Sequence, residues 1–427
     1  MKKILSLVLT LALVLGATAA MADLTAINGT DNRNIQINKA GLNPSAEEMV
    51  QNLISPTTGR ELDKIELPEY AVGLAFSMKY TPVMVQVSNP DGGVSTNSRG
   101  EPSTAPINMQ YADVVYEALQ AQNSKGGTLT RFSAVFSDVI PYYVGLVRST
   151  RLTHVRLRQE WNCAFCTSGY SKAYVPDEFA SLGVRRPDGA KEGDPGLVYV
   201  GDLPRLWKDY VKRIYPGNDA NTEVFELANI MQYVYPKYYE MDPASEEYKK
   251  NAPFNHTYKF TDEAPETDDT ADHIEVTFGG GFKTDSVLEY DDSINAYLRY
   301  VPTSDGRYIP FCAQNLINPH DVKADGAVKI KVDAREYGDQ LSFTNVIIQS
   351  ITMNWKGNEQ PNPVLTGTGN ADYFMGGKHY AGVWERDDLN SRTVFYGEDG
   401  NEISLLRGNT LIILMDYTGT ASNVAYE

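Results

Sequence analysis

Val83, Val85 and Val87 alternate with Met84, Gln86 and Ser88, the period-two pattern of a β-strand, and Asn89, Pro90, Asp91, Gly92 and Gly93 end the run as a loop. Strands are also predicted over Asp113 to Leu119 and Leu129 to Phe136, joined into a long hairpin through Ser124, Lys125, Gly126 and Gly127. Ser149 or Thr150 is placed to cap a helix running to about Gln159, with Leu152 and Val155 inward and Arg151, Arg156 and Arg158 largely outward. Trp161 to Thr167 reads as a buried strand. Further helices are expected near Ala46 to Leu53, after Pro176, after Asp202 with Pro204 in the first turn, and after Thr222 with Glu223.

From Thr261 to Thr270 the chain carries no large apolar residue, the composition of a linker. Beyond it, short alternating strands dominate: His273 to Phe278, Ala296 to Val301, Val328 to Val332, Val346 to Met353, Tyr380 to Trp384, Val394 to Tyr396 and Leu411 to Met415. Gly376 with Gly377, and Asp399 with Gly400, sit between them as hairpin turns. The expected class is α+β, a mixed α/β N-terminal domain over 78–260, an acidic linker over 261–271 and a mainly antiparallel β C-terminal domain over 272–420. Residues 23–77 read as an extended N-terminal arm.

Lys2 and Lys3 lead an apolar stretch from Ile4 to Leu15, and Ala20, Met21 and Ala22 give an A-x-A cleavage pattern before Asp23. Residues 1–22 thus read as a secretory signal, too short for a permanent span, and the mature chain is expected outside the cytoplasm, secreted or associated with the cell envelope. No cysteine lies near the cleavage point to carry a lipid, and no later segment is apolar enough to cross a membrane. The net charge of −17 falls to −19 once Lys2 and Lys3 leave, a surface that repels nucleic acid and anionic lipid. An anionic ligand on such a protein needs a local basic pocket.

Three cysteines occur, and Cys163 and Cys166 lie three apart in a predicted strand, which turns their thiols to opposite faces. Small-apolar packing is the expectation for them, rather than a redox pair or metal site. The histidines His154, His256, His273, His320 and His379 show no zinc-ligand spacing, and no phosphate loop, nucleophile elbow or dinucleotide fingerprint appears in a fitting context. No cofactor or metal is expected. Tyr233, Tyr235, Tyr238 and Tyr239 cluster around Pro236, where flat amphipathic rings suit sugar or peptide recognition as well as strand packing.

The polar run within these strands draws the functional reading. Tyr116 and Glu117, Arg131, and Arg148, Ser149, Thr150 and Arg151 must be buried with partners or held at the mouth of a site, because stranding them in a core costs about 2–7 kcal/mol each. A helix starting at Ser149 or Thr150 presents its first amides between Arg148 and Arg151, a cradle for a carboxylate or phosphate. The competing account pairs Arg148 or Arg131 with Glu117 to fix the helix on the sheet. His154, one turn from Arg151, is the histidine to test as an acid or base, against its simpler reading as a solvated helix residue.

Pro56, Thr57, Thr58 and Gly59, then Pro82 to Val85, Ala112 to Glu117, Thr130 to Phe132 and above all Gly145 to Arg151 resemble the YerB-like family of bacterial envelope proteins. Ala252, Pro253, Asn255 and Tyr258 resemble its motif closing the first domain. Tyr290, Asp291, Tyr297, Arg299, Asn345, Val346, Gly367, Gly369, Gly377, Lys378, Trp384, Arg386, Phe395, Tyr396, Asp399 and Gly400 follow in the second. The resemblance implies two linked domains of unknown function, often lipid-anchored, and supplies no catalytic residues; this chain lacks the lipid-attachment cysteine. Arg131, Arg148, Ser149, Thr150, Arg151, Tyr116 and Asn255 are the candidate ligand-binding residues, and Glu117 and His154 the catalytic candidates. Three readings follow: a non-catalytic module binding a peptide, glycan or envelope protein; an enzyme on wall polymer with Glu117 as acid or base and Arg131 or Arg148 stabilising negative charge; and a structural partner offering an edge strand of the second domain.

Overall fold

A computed structural model of the chain describes residues 24–30, 32–43, 45–68, 71–72, 82–89, 106–122, 128–161, 163–171, 173–182, 197–199, 211–215, 223–231, 256–279, 285–302, 308–315, 320–324, 327–331, 336–356, 360–417 and 423–427. Strands dominate these residues and most of their pairings are antiparallel, so the protein is mainly β with few helices. The helices over Ala46–Gln51, Leu152–Trp161 and Val175–Ser181 meet expectation. After Thr222 the expected helix is instead the strand Glu223–Phe225 with a single helical turn, Leu227–Asn229. Buried Val224 and Phe225 pair with Gly145 and Val144, and that tertiary pairing overrides the capping signal. The leader, the segment after Asp202, the tyrosine cluster around Pro236 and Asn255 lie outside the described residues.

The hairpin forms as expected, Val114–Gln122 against Thr128–Phe136, with Glu117 opposite Phe132 and Ala118 opposite Arg131. Val83–Ser88 adds antiparallel to its far side, and Ala164–Thr167 and Leu197–Tyr199 continue in parallel. On the near side, Thr410–Asp416 runs parallel to Val114–Gln122, from Thr410 opposite Val114 to Leu414 opposite Ala118. Asn345–Lys356, Gly367–Met375, Lys378–Arg386 and Val394–Gly397 follow, and Gln360–Val364 also pairs with Asn345–Lys356, completing an eleven-stranded sheet. Chain segments on both sides of residues 261–271 therefore share one sheet. Those residues lie against it: His379 N–H donates to the Asp269 carbonyl, and Arg407 Nε meets Asp262 at 2.6 Å.

Thr25–Ala26 pairs with Asn423–Tyr426 at the edge of a second sheet of seven strands, which also holds His273–Thr277, Ser286–Asp291 and Ala296–Pro302. The arm is thus docked by its first strand. Adjacent strand residues face opposite ways, so Tyr116 and Glu117 report what covers each face of the central sheet. Tyr116 Oη accepts from Trp161 Nε1 at 2.9 Å, which places the Leu152–Trp161 helix on one face. Glu117 meets Arg299 of Ala296–Pro302, which places the seven-stranded sheet on the other. Among the described residues no helix is long and apolar enough to cross a membrane.

Gly376 and Gly377 make the predicted turn between Gly367–Met375 and Lys378–Arg386, both with φ near +60 to +70°. Cys163 and Cys166 are buried and unbridged, as expected of core packing, and burial pushes both thiols up, that of Cys163 to about 12.

Candidate functional site

Cross-strand register separates the residues that the sequence groups together. Glu117 lies opposite Phe132 and shares its face with Phe132 and Thr130, whereas Arg131 lies opposite Ala118 and points to the helix side. Neither Arg131 nor any other residue on that face can neutralise Glu117. Its partner is Arg299, with Nη2 at 3.3 Å from Oε2, a contact across 182 residues of chain. Asn89 Nδ2 and Thr130 Oγ1 also donate to Glu117 Oε1, at 2.9 and 2.8 Å. Burial raises the Glu117 pKa despite Arg299 beside it, and burial likewise lowers that of Arg299. The Arg299 guanidinium rests over Phe311 and Phe132, 4.3 and 5.2 Å from their ring centroids.

On the helix side the cap also differs from expectation. The helix begins at Leu152, and the Thr150 amide donates to the Gly169 carbonyl at 2.9 Å because Thr150 bridges in parallel to Tyr170. The Arg151 amide donates to His154 Nδ1 at 3.0 Å, so the imidazole serves as the cap. His154 is fully buried, not solvated, and His256 and His379 are buried as well. Arg158, expected outward, is buried with Nε on the Cys163 carbonyl, and Arg156 is half-buried and paired with Glu178 at 2.6 Å. Tyr116 is buried beneath the helix and does not reach this region.

What remains together is a cationic cluster. Arg131 Nη1 donates to the Ser149 carbonyl, and Arg151 Nη1 donates to the Thr150 carbonyl at 2.9 Å. Neither guanidinium has a carboxylate within ion-pair distance among the described residues. Burial, then Arg151 and Arg148, drives the Arg131 pKa well below its ordinary value, and burial lowers that of Arg151. Guanidinium keeps its proton in proteins, so these directions measure the electrostatic cost of the arrangement. Burial, then Arg131 and Arg151, holds the His154 imidazole well below its usual range, leaving it neutral. With Nδ1 accepting, its proton sits on Nε2, which has no hydrogen-bond partner among the described residues; Arg151 Nε also has none. Arg148 is anchored through its backbone, donating to the Gln86 carbonyl and accepting from Ser168 N–H and Thr167 Oγ1. Arg148, Ser149 and Arg151 are half-exposed, so the cluster opens to solvent at one end.

A second polar cluster escaped the sequence reading. Asp113, just before the first hairpin strand, and Asp138, just after the second, are both buried. Asp113 Oδ2 accepts from Ser137 N–H, Asp138 N–H and Thr57 Oγ1 at 2.9, 3.0 and 3.1 Å, and from Ser137 Oγ. Asp138 accepts from Ser55 Oγ at 2.7 Å and from Thr58 Oγ1. The Thr57-Thr58 hydroxyls of the arm therefore close over two carboxyl groups. The available signal was an aspartate at each end of the apolar hairpin with a hydroxyl-rich turn upstream. Among the described residues no group of three or more His, Cys, Asp or Glu is disposed to hold a metal.

The family described as a protein of unknown function, DUF3048, matches the chain twice, its N-terminal domain over residues 78–194 and its C-terminal domain over residues 274–412. Among solved structures, the YerB protein from Bacillus subtilis is similar, with a TM-score of 0.52 at 18% identity, covering 85% of this chain and 96% of that one. At that identity the likeness shows the fold alone. No curated protein matches.

Proposed function

The chain belongs to the YerB-like, DUF3048 family of proteins of unknown function, and from that premise we propose that it is an exported, non-catalytic binding module that takes the carboxylate or phosphate group of an extracytoplasmic ligand at Arg131, Arg151 and His154. One observation carries the reading: Arg131 and Arg151 are packed together with no carboxylate counter-charge among the described residues, beside an imidazole N–H that also lacks an acceptor. Like charges sharing a desolvated site repel, and an unmade hydrogen bond there costs about 1–3 kcal/mol, so a bound anion relieves both. The half-exposed Arg148, Ser149 and Arg151 give that anion a way in. Export is supported by the leader pattern of Lys2, Lys3 and Ala20 to Ala22. Glu117, the acid or base of an enzymatic reading, lies across the sheet from the arginines and cannot share a substrate with them.

Isothermal titration with sulfate and inorganic phosphate tests the proposal, with chloride at matched ionic strength as the control. The multivalent anions should bind the wild type, and Arg151→Gln and Arg131→Gln should each weaken binding by about tenfold or more, as the loss of a charge-assisted contact requires. Equal response to all three salts, or unchanged sulfate affinity in Arg151→Gln, would refute it.

A further inference from the structure

A cavity of about 1180 Å³ lies where the arm residues Ile54 to Pro68, the start of the hairpin and the second half of the chain meet. We propose that this cavity is a second binding site, for a peptide segment, with the Asp113 carboxyl as the hydrogen-bonding group at its floor.

The geometry of Asp113 is one-sided. Four hydrogen bonds reach Oδ2, none is made to Oδ1 among the described residues, and the residue lines the cavity. Its side chain is fixed by those bonds, so Oδ1 is a positioned contact rather than a mobile one. Burial and then the neighbouring Asp138 push the Asp113 pKa to about 8, against the hydrogen bonds from Ser137, Asp138 N–H and Thr57. Because the two carboxyls interact, the proton is shared by the pair, and Asp113 Oδ1, which takes no hydrogen bond among the described residues, is one of its seats. A neutral carboxyl there donates to a carbonyl or carboxylate of a guest.

The remaining lining selects the class of guest. The volume exceeds the range of about 300–1,000 Å³ typical of small-molecule pockets, which points to an oligomer. Leu67 and Ile294, 50% and 52% exposed, stand at the cavity as uncovered apolar side chains. Tyr111 is its one aromatic among the described residues, which show no stacked rings of the kind sugars favour. Among the described residues, the charged groups that face it besides Asp113 and Asp138 are Arg60, Glu61, Lys64 and Glu66 from the arm, and Asp262 and Arg407 from the second half. Lys64 is paired with Glu61, and Arg407 with Asp262, which leaves Arg60, among the described residues, as the cation open to a peptide carboxylate. Apolar side chains, a carboxylate and backbone carbonyls together describe a leucine-bearing peptide with a free C-terminus.

The test uses the mature chain and three probes: N-acetyl-Leu-Ala-Leu-Ala-Leu with a free carboxylate, the same peptide as the amide, and cellotetraose. Titrations at pH 6.5 and 9.5 should show the acid-ended peptide binding wild type, about tenfold or more weaker at the higher pH as Asp113 loses its proton. Asp113→Asn keeps a donor at the cavity and an acceptor for Ser137, so it should bind at both pH values alike. Arg60→Gln, at an exposed position, should remove the preference for the acid over the amide. Sulfate binding at Arg151 should be unchanged in both variants, which separates this site from the arginine cluster. Absence of peptide binding, a pH profile shared by wild type and Asp113→Asn, or binding of cellotetraose in place of the peptides would overturn the proposal.

Discussion

Replacing Glu117 with Gln isolates one electrostatic term. The Glu117 and Arg299 side chains are 0% and 1% exposed, so the substitution leaves the Arg299 cation buried without a counter-charge. Gln keeps an oxygen at Oε1 to accept from Thr130 Oγ1 and Asn89 Nδ2, so those two bonds are retained. Among the described residues, Arg299 Nε and Nη1 have no acceptors, and the faces of Phe132 and Phe311 beside the guanidinium cannot replace an anion. Breaking one half of a buried pair costs about 3–5 kcal/mol, a large share of the roughly 5–15 kcal/mol of a folded domain. Arg299→Met should cost less, about 1–3 kcal/mol, because Met fills the same space against the rings and Glu117 can take up a proton. The double variant should then cost well under the sum of the singles, since it leaves no buried charge unpaired. Urea unfolding of all four proteins gives the cycle, with equal m-values required for the comparison. A coupling energy of about 2 kcal/mol or more is expected. Additive singles, with Glu117→Gln costing under about 1 kcal/mol, would show that this contact does not hold the two sheets together.

Three further outcomes follow from the same geometry. Asp113 has its folded pKa raised to about 8 from an ordinary 3.8, so its contribution is fully present below about pH 4 and is lost as pH rises through 8; denaturation midpoints of wild type against Asp113→Asn should diverge over that window by up to about 1.4 kcal/mol per pH unit, and parallel profiles would refute the assignment. For Glu160, burial alone would raise the pKa, but Arg386 at 3.1 Å, His256 at 2.9 Å and the Thr393 amide hold it to about 2, so its contribution is present above about pH 4.5 and lost as pH falls toward 2; Glu160→Gln should flatten acid unfolding in that range. Gly377→Ala places a Cβ 2.8 Å from Asp272 Oδ1 at φ +68°, so thermal unfolding should show a loss of about 1 kcal/mol or more, and an unchanged midpoint would contradict the turn geometry.

The fold was legible where local pattern and long-range pairing agree. Val83 to Val87, the hairpin and the Gly376-Gly377 turn carry their own periodicity and turn chemistry, and they form as read. Partnerships across the chain were not legible: Arg299 stands 182 residues from Glu117, and nothing local tells which of many arginines reaches it. The hairpin register, with Ala118 rather than Glu117 opposite Arg131, decides which charges share a face, and a strand pattern alone leaves that register open. Within the polar run the histidine was misjudged, because His154 caps its own helix from the buried side. The Asp113–Asp138 pair was missed since aspartates abound in an acidic chain, and only their joint closure by Ser55, Thr57 and Thr58 distinguishes them.

The central claim is that Arg131, Arg151 and His154 form a receptor for an anion. Crystals soaked in selenate, with diffraction collected at the selenium edge, address it directly. The account predicts an anomalous peak within hydrogen-bond reach of His154 Nε2 and the Arg131 or Arg151 guanidinium, lost in Arg151→Gln. Ordered selenate elsewhere with none at this cluster, or a carboxylate of the chain itself lying across both guanidinium groups, would contradict it.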